Sequence, residues 1–260
     1  MAKQNDRAEA FRRLHVKGRP LVLFNAWDAG SAQAVARGGA AAIGTGSWSV
    51  AGANGYGDGE KLPLDLAVET VARIVAAVDL PVSLDFEGGY ARAPQDLGAN
   101  LARVIEAGAI GINIEDQVIG GEGFYSAKEH ASRVAACRAT ADGAGQPAFF
   151  VNARCDLFLK SKPGEHDGAM LDAVLERAAA YAGAGADGFF APGLVDEALI
   201  GRLSEKATLP VNVLVFPATP PAPRLAELGV ARISHGPGPW RRAMAALEEA
   251  ARAAHAAPLG

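Results

Sequence analysis

The chain has 260 residues, half of them hydrophobic, with 31 glycines and a formal net charge of −4. This composition supports a large buried core and excludes a disordered chain, and the mild acidity leaves no electrostatic footprint for nucleic acid or an anionic membrane. At roughly 150 residues per domain the length allows one or two domains, and an α/β barrel reaches this size as one.

In chain order, residues 5–17 read as a helix with a thin apolar stripe (Phe11, Leu14, Val16) stopped by Gly18. Leu21 to Asn25 form a first strand, Asp28 caps a helix from Ser31 to Arg37, and Gly38 to Gly46 give a helix stop and a second short strand. A Gly-rich loop, Ser47 to Pro63, carries Asp58 and leads to a helix over 64–78. The third strand, 81–87, ends in Asp85 and Glu87, whose alternation puts both carboxylates on one side. Like charges so placed repel unless a cation, a proton or strong donors lie between them.

Pro94 starts the next helix, which Gly108 ends, and Ile110 to Glu115 form strand four. A loop from Gln117 to Ser126 precedes a helix over 127–141, and Ala148 to Arg154 form strand five. A polar loop (160–167), a helix (169–182) and strand six (188–191) follow. Next come a helix (196–206), strand seven (211–215), a helix (222–228), strand eight (231–234) and a last helix over 239–254 with a frayed tail, 255–260. Eight alternations of apolar strand and amphipathic helix predict a parallel sheet, and eight is the number that closes a (β/α)₈ TIM barrel. The whole of residues 1–260 is expected to form one such domain. No G-x-G-x-x-G follows the first strand, which argues against a dinucleotide-binding open sheet. Cys137 and Cys155 lack metal-ligand spacing, the polar start MAKQNDRAEA has no signal-peptide core, and no apolar run spans a bilayer. These features predict reduced thiols in a cytoplasmic protein.

Barrel enzymes place their chemistry at the C-terminal strand ends. Here those ends carry Asn25, Trp27 and Asp28; Thr45, Gly46 and Ser47; Asp85 and Glu87; Glu115 and Asp116; Arg154; Asn212; and Ser234 and His235. Three ends bear carboxylates, and burying so many acids needs compensation, which a hard cation such as Mg²⁺ supplies. Asp85 is the expected direct ligand, with Glu87, Glu115 and Asp58 holding water around the metal. Helix capping is an adequate alternative for Asp28 and Asp116. The Thr45-Gly46-Ser47 turn suits an oxyanion, and Arg154 suits either a substrate carboxylate or an ion pair with Glu115 or Glu87.

The segments Asn25-Ala26-Trp27-Asp28-Ala29-Gly30-Ser31-Ala32, Thr45-Gly46-Ser47, Asp58 in its loop, Leu84 to Tyr90, Ile114-Glu115-Asp116 and Ala153-Arg154 together resemble the isocitrate lyase/phosphoenolpyruvate mutase superfamily. The resemblance spans about Phe11 to Ala250. It implies a barrel whose last helix is swapped between neighbours in homodimers or homotetramers, Mg²⁺, and a small 2-oxo or 2-hydroxy acid handled through a metal-bound enolate. By position it implies Asp85, Glu87 and Glu115 as the metal group. It implies Trp27, Thr45, Gly46, Ser47, Arg154 and Asn212 as substrate-binding, with Asn212 serving a second carboxylate, and Asp58, Glu115 and Arg154 as catalytic. The lyases carry Lys-[Lys/Arg]-Cys-Gly-His after strand four, where this chain has Gln117 to Tyr125 with no Cys, His or Lys. Cleavage of a 2-hydroxy acid needs a proton donor for the product enolate, and Tyr125 is then the one obvious candidate. The expected activity is a Mg²⁺-dependent carbon–carbon lyase or decarboxylase. A carbon–phosphorus mutase or hydrolase and a catalytically weak 2-oxo acid binder are the alternatives.

Overall fold

The computed structural model describes residues 2–256. Eight parallel strands alternate with helices in the hydrogen-bonded order β1-β8-β7-β6-β5-β4-β3-β2. The strands are β1 (Leu21–Leu23), β2 (Ile43–Gly44), β3 (Val82–Asp85), β4 (Gly111–Glu115), β5 (Phe150–Arg154), β6 (Gly188–Phe190), β7 (Val211–Leu214) and β8 (Arg232–Ser234). Between β1 and β2 a single parallel bridge, Ala26 to Thr45, continues the circle. Asn25 reinforces it: its Nδ2 donates to the Thr45 carbonyl, and its Oδ1 accepts from His235 N and Gly236 N. The result is a TIM barrel, as the alternation of elements predicts.

The helices are α1 (Ala2–Arg13), α2 (Ala29–Arg37), α3 (Ser47–Ala53), α4 (Leu64–Ala77), α5 (Pro94–Glu106), α6 (Ala127–Gly143), α7 (Leu157–Lys160), α8 (Gly168–Gly183), α9 (Glu197–Lys206), α10 (Ala222–Glu227) and α11 (Gly238–Ala256). In α5, Pro94 sits in the first turn, and Leu97, Leu101, Val104 and Ile105 are buried at helical spacing. Each such side chain stabilises the fold by about 1.5–3 kcal/mol. Asp28 caps α2 in a reciprocal box with Ser31, so its role is the capping one. Phe11 of α1 closes the bottom of the barrel with Leu21, Leu23, Ile110 and Phe150.

Strand residues alternate between the helix-facing core and the barrel interior. Ile112 and Ile114 are buried in the outer core, while Asn113 between them faces a polar layer. Asn152 donates to Asn113 Oδ1 (2.9 Å) and Asn212 Oδ1 (3.2 Å), and the buried Arg232 donates to Asn113 Oδ1 (3.2 Å) and Ser234 Oγ (3.3 Å). Gly188 lies in register with Asn152, and a Cβ there would stand 2.6 Å from Asn152 Oδ1. The layer therefore requires the glycine.

Three elements depart from the sequence-based expectation. The segment 47–63 is not all loop, because Ser47–Ala53 is helical. Its Ser and Gly content gives weak propensity, and burial of Ser49, Val50 and Ala51 overrides it. The short α7 was likewise unexpected. The last helix runs on through His255 and Ala256 instead of fraying at 255, and the rest of the expected tail, 257–260, lies outside the described residues. From Ala245 to Ala256 every residue of α11 is exposed, Leu247 at 62%. Beside its root lies an apolar groove of about 1130 Å³ whose lining includes Leu14, Val22, Phe24 and Val35. Among the described residues no helix is long and apolar enough to cross a membrane.

Candidate functional site

A second cavity, of about 600 Å³, opens among the C-terminal strand ends. Gly46, Ser47, Asp58, Asp85 and Arg154 all line it. Asp85 ends β3, and donors fix its carboxylate on both sides. Oδ2 accepts from Ser47 N (3.1 Å) and Ser47 Oγ (2.9 Å), and Oδ1 accepts from Asn113 Nδ2 (3.2 Å). Thr45 Oγ1 in turn accepts from Asp85 N (2.9 Å). The Thr45-Gly46-Ser47 turn thus spends its hydroxyls and the Ser47 N–H in locking the end of β2 to the end of β3. Ser47 Oγ also reaches Asp58 Oδ1 at 3.4 Å.

Glu87 does not point where strand alternation predicts. β3 ends at Asp85, and Glu87 has φ +51°, a left-handed conformation unfavourable for a side-chain-bearing residue. This turns its carboxylate out of the mouth cavity and under the 58–60 loop. There Glu87 Oε2 accepts from Gly59 N (2.9 Å) and Glu60 N (2.8 Å), and Tyr90 OH donates to Oε1 at 3.3 Å. Burial, with the charges of Asp85, Asp58 and Glu60, pushes the Glu87 carboxyl up to about 7 despite these donors.

Arg154 ends β5 in register with Glu115. Its Nη1 lies 2.8 Å from Glu115 Oε2 and 4.0 Å from Asp85 Oδ1. Its Nε and Nη2 form a bidentate pair with Asp156 Oδ1 (2.6 Å) and Oδ2 (2.8 Å). Burial raises the Glu115 carboxyl, and the Arg154 guanidinium opposes that rise. Burial also raises Asp58, aided by the charge of Asp85. Asp156 escaped the sequence reading; it lies beyond the end of β5, at φ −90° and ψ 8°, where strand alternation no longer applies. Asp116 caps no helix. It accepts from Asp156 N, Arg177 Nη1 and Tyr181 OH at 2.9–3.0 Å and so braces the end of β5.

Three expected substrate contacts lie elsewhere. Asn212 is buried in the barrel interior, with Nδ2 donating to the carbonyls of Val213 and Arg232 and to Ser234 Oγ. It does not line the mouth, because its alternation turns it into the polar layer. Thr45 is 1% exposed, with its hydroxyl engaged by Asp85. Trp27 packs against the cluster of Val50, Ala51, Leu62 and Ala67 and lines the outer groove. Tyr125 lies under the Arg133 guanidinium, 4.5 Å from the ring centroid, and lines a separate small cavity of about 200 Å³. It is not a mouth acid.

The fit of this corner to Mg²⁺ follows from its donors. Asp58, Asp85 and Ser47 offer only oxygen, Glu87 and Glu115 stand behind them, and both cysteines are buried elsewhere. Among the described residues Arg154 is the one cation in ion-pair contact with this group of acids, so negative charge is in surplus at this corner. Among the described residues no three His, Cys, Asp or Glu side chains converge as a ready-made cage. Asp85 can use its remaining lone pairs directly.

The wall opposite is formed by Leu159, Phe190, Pro192 and Leu214, with His235, Arg241 and Arg242 at the rim. Burial and the nearby Arg242 lower the pKa of His235.

Residues 11–255 match the family model described as phosphoenolpyruvate phosphomutase. The chain is 35% identical over 244 residues to an uncharacterized protein of Mycobacterium tuberculosis, covering 94% of this chain and 88% of that one. It is 29% identical over 222 residues to 2-methylisocitrate lyase of Escherichia coli, covering 82% and 71%. A crystal structure from Burkholderia cenocepacia, named provisionally as a phosphonomutase, superposes with TM-score 0.94 at 49% identity over 96% of this chain and 99% of that one. The fold is shared as well with a phosphonopyruvate hydrolase crystallised with oxalate and Mg²⁺, with TM-score 0.81 at 20% identity over 94% and 84%.

Proposed function

Because the chain belongs to the phosphoenolpyruvate phosphomutase family, within the isocitrate lyase/phosphoenolpyruvate mutase superfamily of enzymes, we propose that it is a Mg²⁺-dependent carbon–carbon lyase or decarboxylase. Its substrate is a small 2-oxo or 2-hydroxy polycarboxylate, and the chain works as one barrel domain. The observation that carries this reading is the convergence of Asp85, Asp58, Ser47 and Arg154 on one cavity, at a corner where the carboxylates outnumber the arginine in contact with them.

In this reading Asp85 would hold the metal directly, Asp58 and Glu115 would hold water around it, and Glu87 fixes the backbone of the 58–60 loop beside Asp58. Bound Mg²⁺ supplies the positive charge against which negative charge developing on a 2-oxo acid is stabilised. The chain's own residues do the rest. Ser47 and Asn113 hold the Asp85 carboxylate in one orientation. Gly46 and Ser47 form the wall for the substrate's carboxylate end, and Arg154 presents Nη1 between Glu115 and Asp85. Glu115, raised by burial, is the group beside Arg154 suited to take up or release a proton near neutral pH.

The test is a panel of 2-oxo and 2-hydroxy polycarboxylates assayed with and without Mg²⁺. Metal-dependent turnover of at least one acid is expected, falling by about 100-fold or more in Asp85→Ala. Turnover unaffected by that substitution overturns the proposal, and tight binding without turnover of any acid leaves only the binding protein.

The 49% identity to a structure provisionally named a phosphonomutase favours a second reading, carbon–phosphorus chemistry at the same corner. Release of phosphate from phosphonopyruvate would select it. The exposed α11 and the apolar groove beside its root support an assembly of copies of this chain. In this reading each α11 packs into the groove of a neighbouring copy, giving a homodimer or homotetramer.

A further inference from the structure

Below the mouth, the barrel interior holds a chain of amides that ends at Asp85. Asn152 Nδ2 donates to Asn212 Oδ1 (3.2 Å) and to Asn113 Oδ1 (2.9 Å), and Asn113 Nδ2 donates to Asp85 Oδ1 (3.2 Å). An amide has an oxygen end and a nitrogen end, and a half-turn exchanges them. Turned over, Asn113 would aim its oxygen at the Asp85 carboxylate and its nitrogen at two donors. The direction of the chain therefore decides what Asp85 meets, and groups that cannot reverse set that direction. One is the pair of backbone carbonyls, of Val213 and Arg232, that accept from Asn212 Nδ2. The other is the Arg232 guanidinium, which carries donors only. It gives Nη2 to Asn113 Oδ1 (3.2 Å) and Nε to Ser234 Oγ (3.3 Å). The carbonyls act two amides away from Asn113, whereas Arg232 touches it. Arg232 is 1% exposed, and among the described residues it has no carboxylate partner and its Nη1 has no partner at all. Burial lowers its pKa to about 9, and the charge of Asp85 opposes that fall. Burying a guanidinium without a counter-ion is costly, and packing alone does not offset it.

We infer that Arg232 is a positioning residue for Asp85: by donating to Asn113 Oδ1 it fixes the direction of the amide chain, so that Asn113 presents N–H to the Asp85 carboxylate. This deepens, and rests on, the reading of the Asp85 corner as a Mg²⁺ site. Arg232 is not among the residues that line the mouth cavity, so it acts through Asn113 and not on a ligand. Ser47 does not duplicate this action, because it holds the other carboxylate oxygen, Oδ2. The inference uses two properties of the side chain. Its charge makes the bond to Asn113 about twice as strong as a neutral one. Its lack of any acceptor means that no rotation turns that bond around. Lysine shares both properties, glutamine shares neither, and methionine only fills the space.

Calorimetric titration of the metal-free protein with Mg²⁺ alone tests this, with thermal unfolding run alongside to show that each variant is folded. Arg232→Gln and Arg232→Met should each weaken Mg²⁺ binding by about tenfold, the loss expected when a group that orients a metal ligand is removed. Arg232→Lys should recover most of that affinity. In an Asn113→Ala background, Arg232→Gln should change the affinity by less than about threefold, because the path is already cut. A purely structural Arg232 would lower the melting temperature of the variants and leave Mg²⁺ affinity unchanged, which refutes the inference. Tighter Mg²⁺ binding by the glutamine variant also refutes it, since the guanidinium would then act as a charge repelling the metal. Equal losses with and without Asn113 refute it as well. Asn152→Leu gives a test that needs no Arg232 variant to fold. It removes the neutral donor to Asn113 and leaves Arg232, and should cost about threefold at most. A loss as large as that of Asn113→Ala would show that Asn152 sets the amide, against the inference. Failure of wild type to bind Mg²⁺ would remove the reading of the Asp85 corner and this inference with it. Binding by wild type and an unaffected glutamine variant would refute the inference alone.

Discussion

The substitution Asp156→Asn isolates what holds Arg154 in place. Asp156 is fully buried and accepts two bonds from the guanidinium, while Arg154 is 14% exposed on its side chain. Removing one member of a buried pair costs about 3–5 kcal/mol when the remaining charge is left alone. Here Glu115 still faces Nη1 at 2.8 Å, and an asparagine oxygen can keep one of the two bonds. Both facts lower the expected loss to about 3 kcal/mol, near the worth of one or two bonds to a charged group. For a chain of this size that corresponds to roughly 6–12 °C in melting temperature. The assay is thermal unfolding of metal-free wild type and variant at one protein concentration, since any self-association would make the midpoint concentration-dependent. A shift below about 1 °C would show that Glu115 alone suffices and that the bidentate pair stabilises nothing.

The metal-free protein should lose stability as pH rises above 6.5. Glu87 is raised from an ordinary 4.5 to about 7, so the folded state binds more protons than the unfolded state between those values, and stability falls as pH climbs through 7. Glu115 is raised too and acts in the same direction. The buried His15 and His130, both lowered to about 3, act oppositely below 6.5, which is why the clean window lies above it. Denaturant midpoints at pH 6.5 and 8 in chelator check this, with a flatter profile expected for Glu87→Gln; a steeper one contradicts the assignment. Gly89→Ala should destabilise by about 3 kcal/mol or more, because φ is +80° and the added Cβ would meet Leu97 Cδ1 at 2.0 Å; an unchanged midpoint would show that the loop repacks freely. Val22→Asp, which puts a charge in the outer groove at a residue 44% exposed in the isolated chain, should leave the barrel folded and lower the mass seen in sedimentation. An oligomer unaffected by that charge would place the subunit contact elsewhere.

Most of the barrel was legible because its strands are short apolar runs, several of them preceded by a glycine that ends a helix. Asp85, Arg154 and the Ser47 turn were legible because polar groups ending such runs must face the mouth or be paired. Glu87 was misplaced because alternation assumes the strand continues, and a left-handed residue at φ +51° breaks it. Asn212 was misplaced for the complementary reason. One polar residue flanked by Val211 and Val213 turns inward, as Asn113 does between Ile112 and Ile114 and Asn152 between Val151 and Ala153. Read together, those three triplets signal an internal polar ring. Among the described residues Arg232 is buried without a carboxylate partner, and that burial has no counterpart in the sequence pattern.

The last helix joins two properties that are usually separate. Its first turn carries the arginines at the rim of the mouth, and its remaining length stands clear of its own barrel. If a neighbouring copy grips that length, the position of Arg241 and Arg242 at the mouth is set partly by another molecule. Dilution would then loosen the rim of the mouth before it affected the Asp85 corner. Two laboratories working at different enzyme concentrations could rank the same acids in different order while measuring correctly.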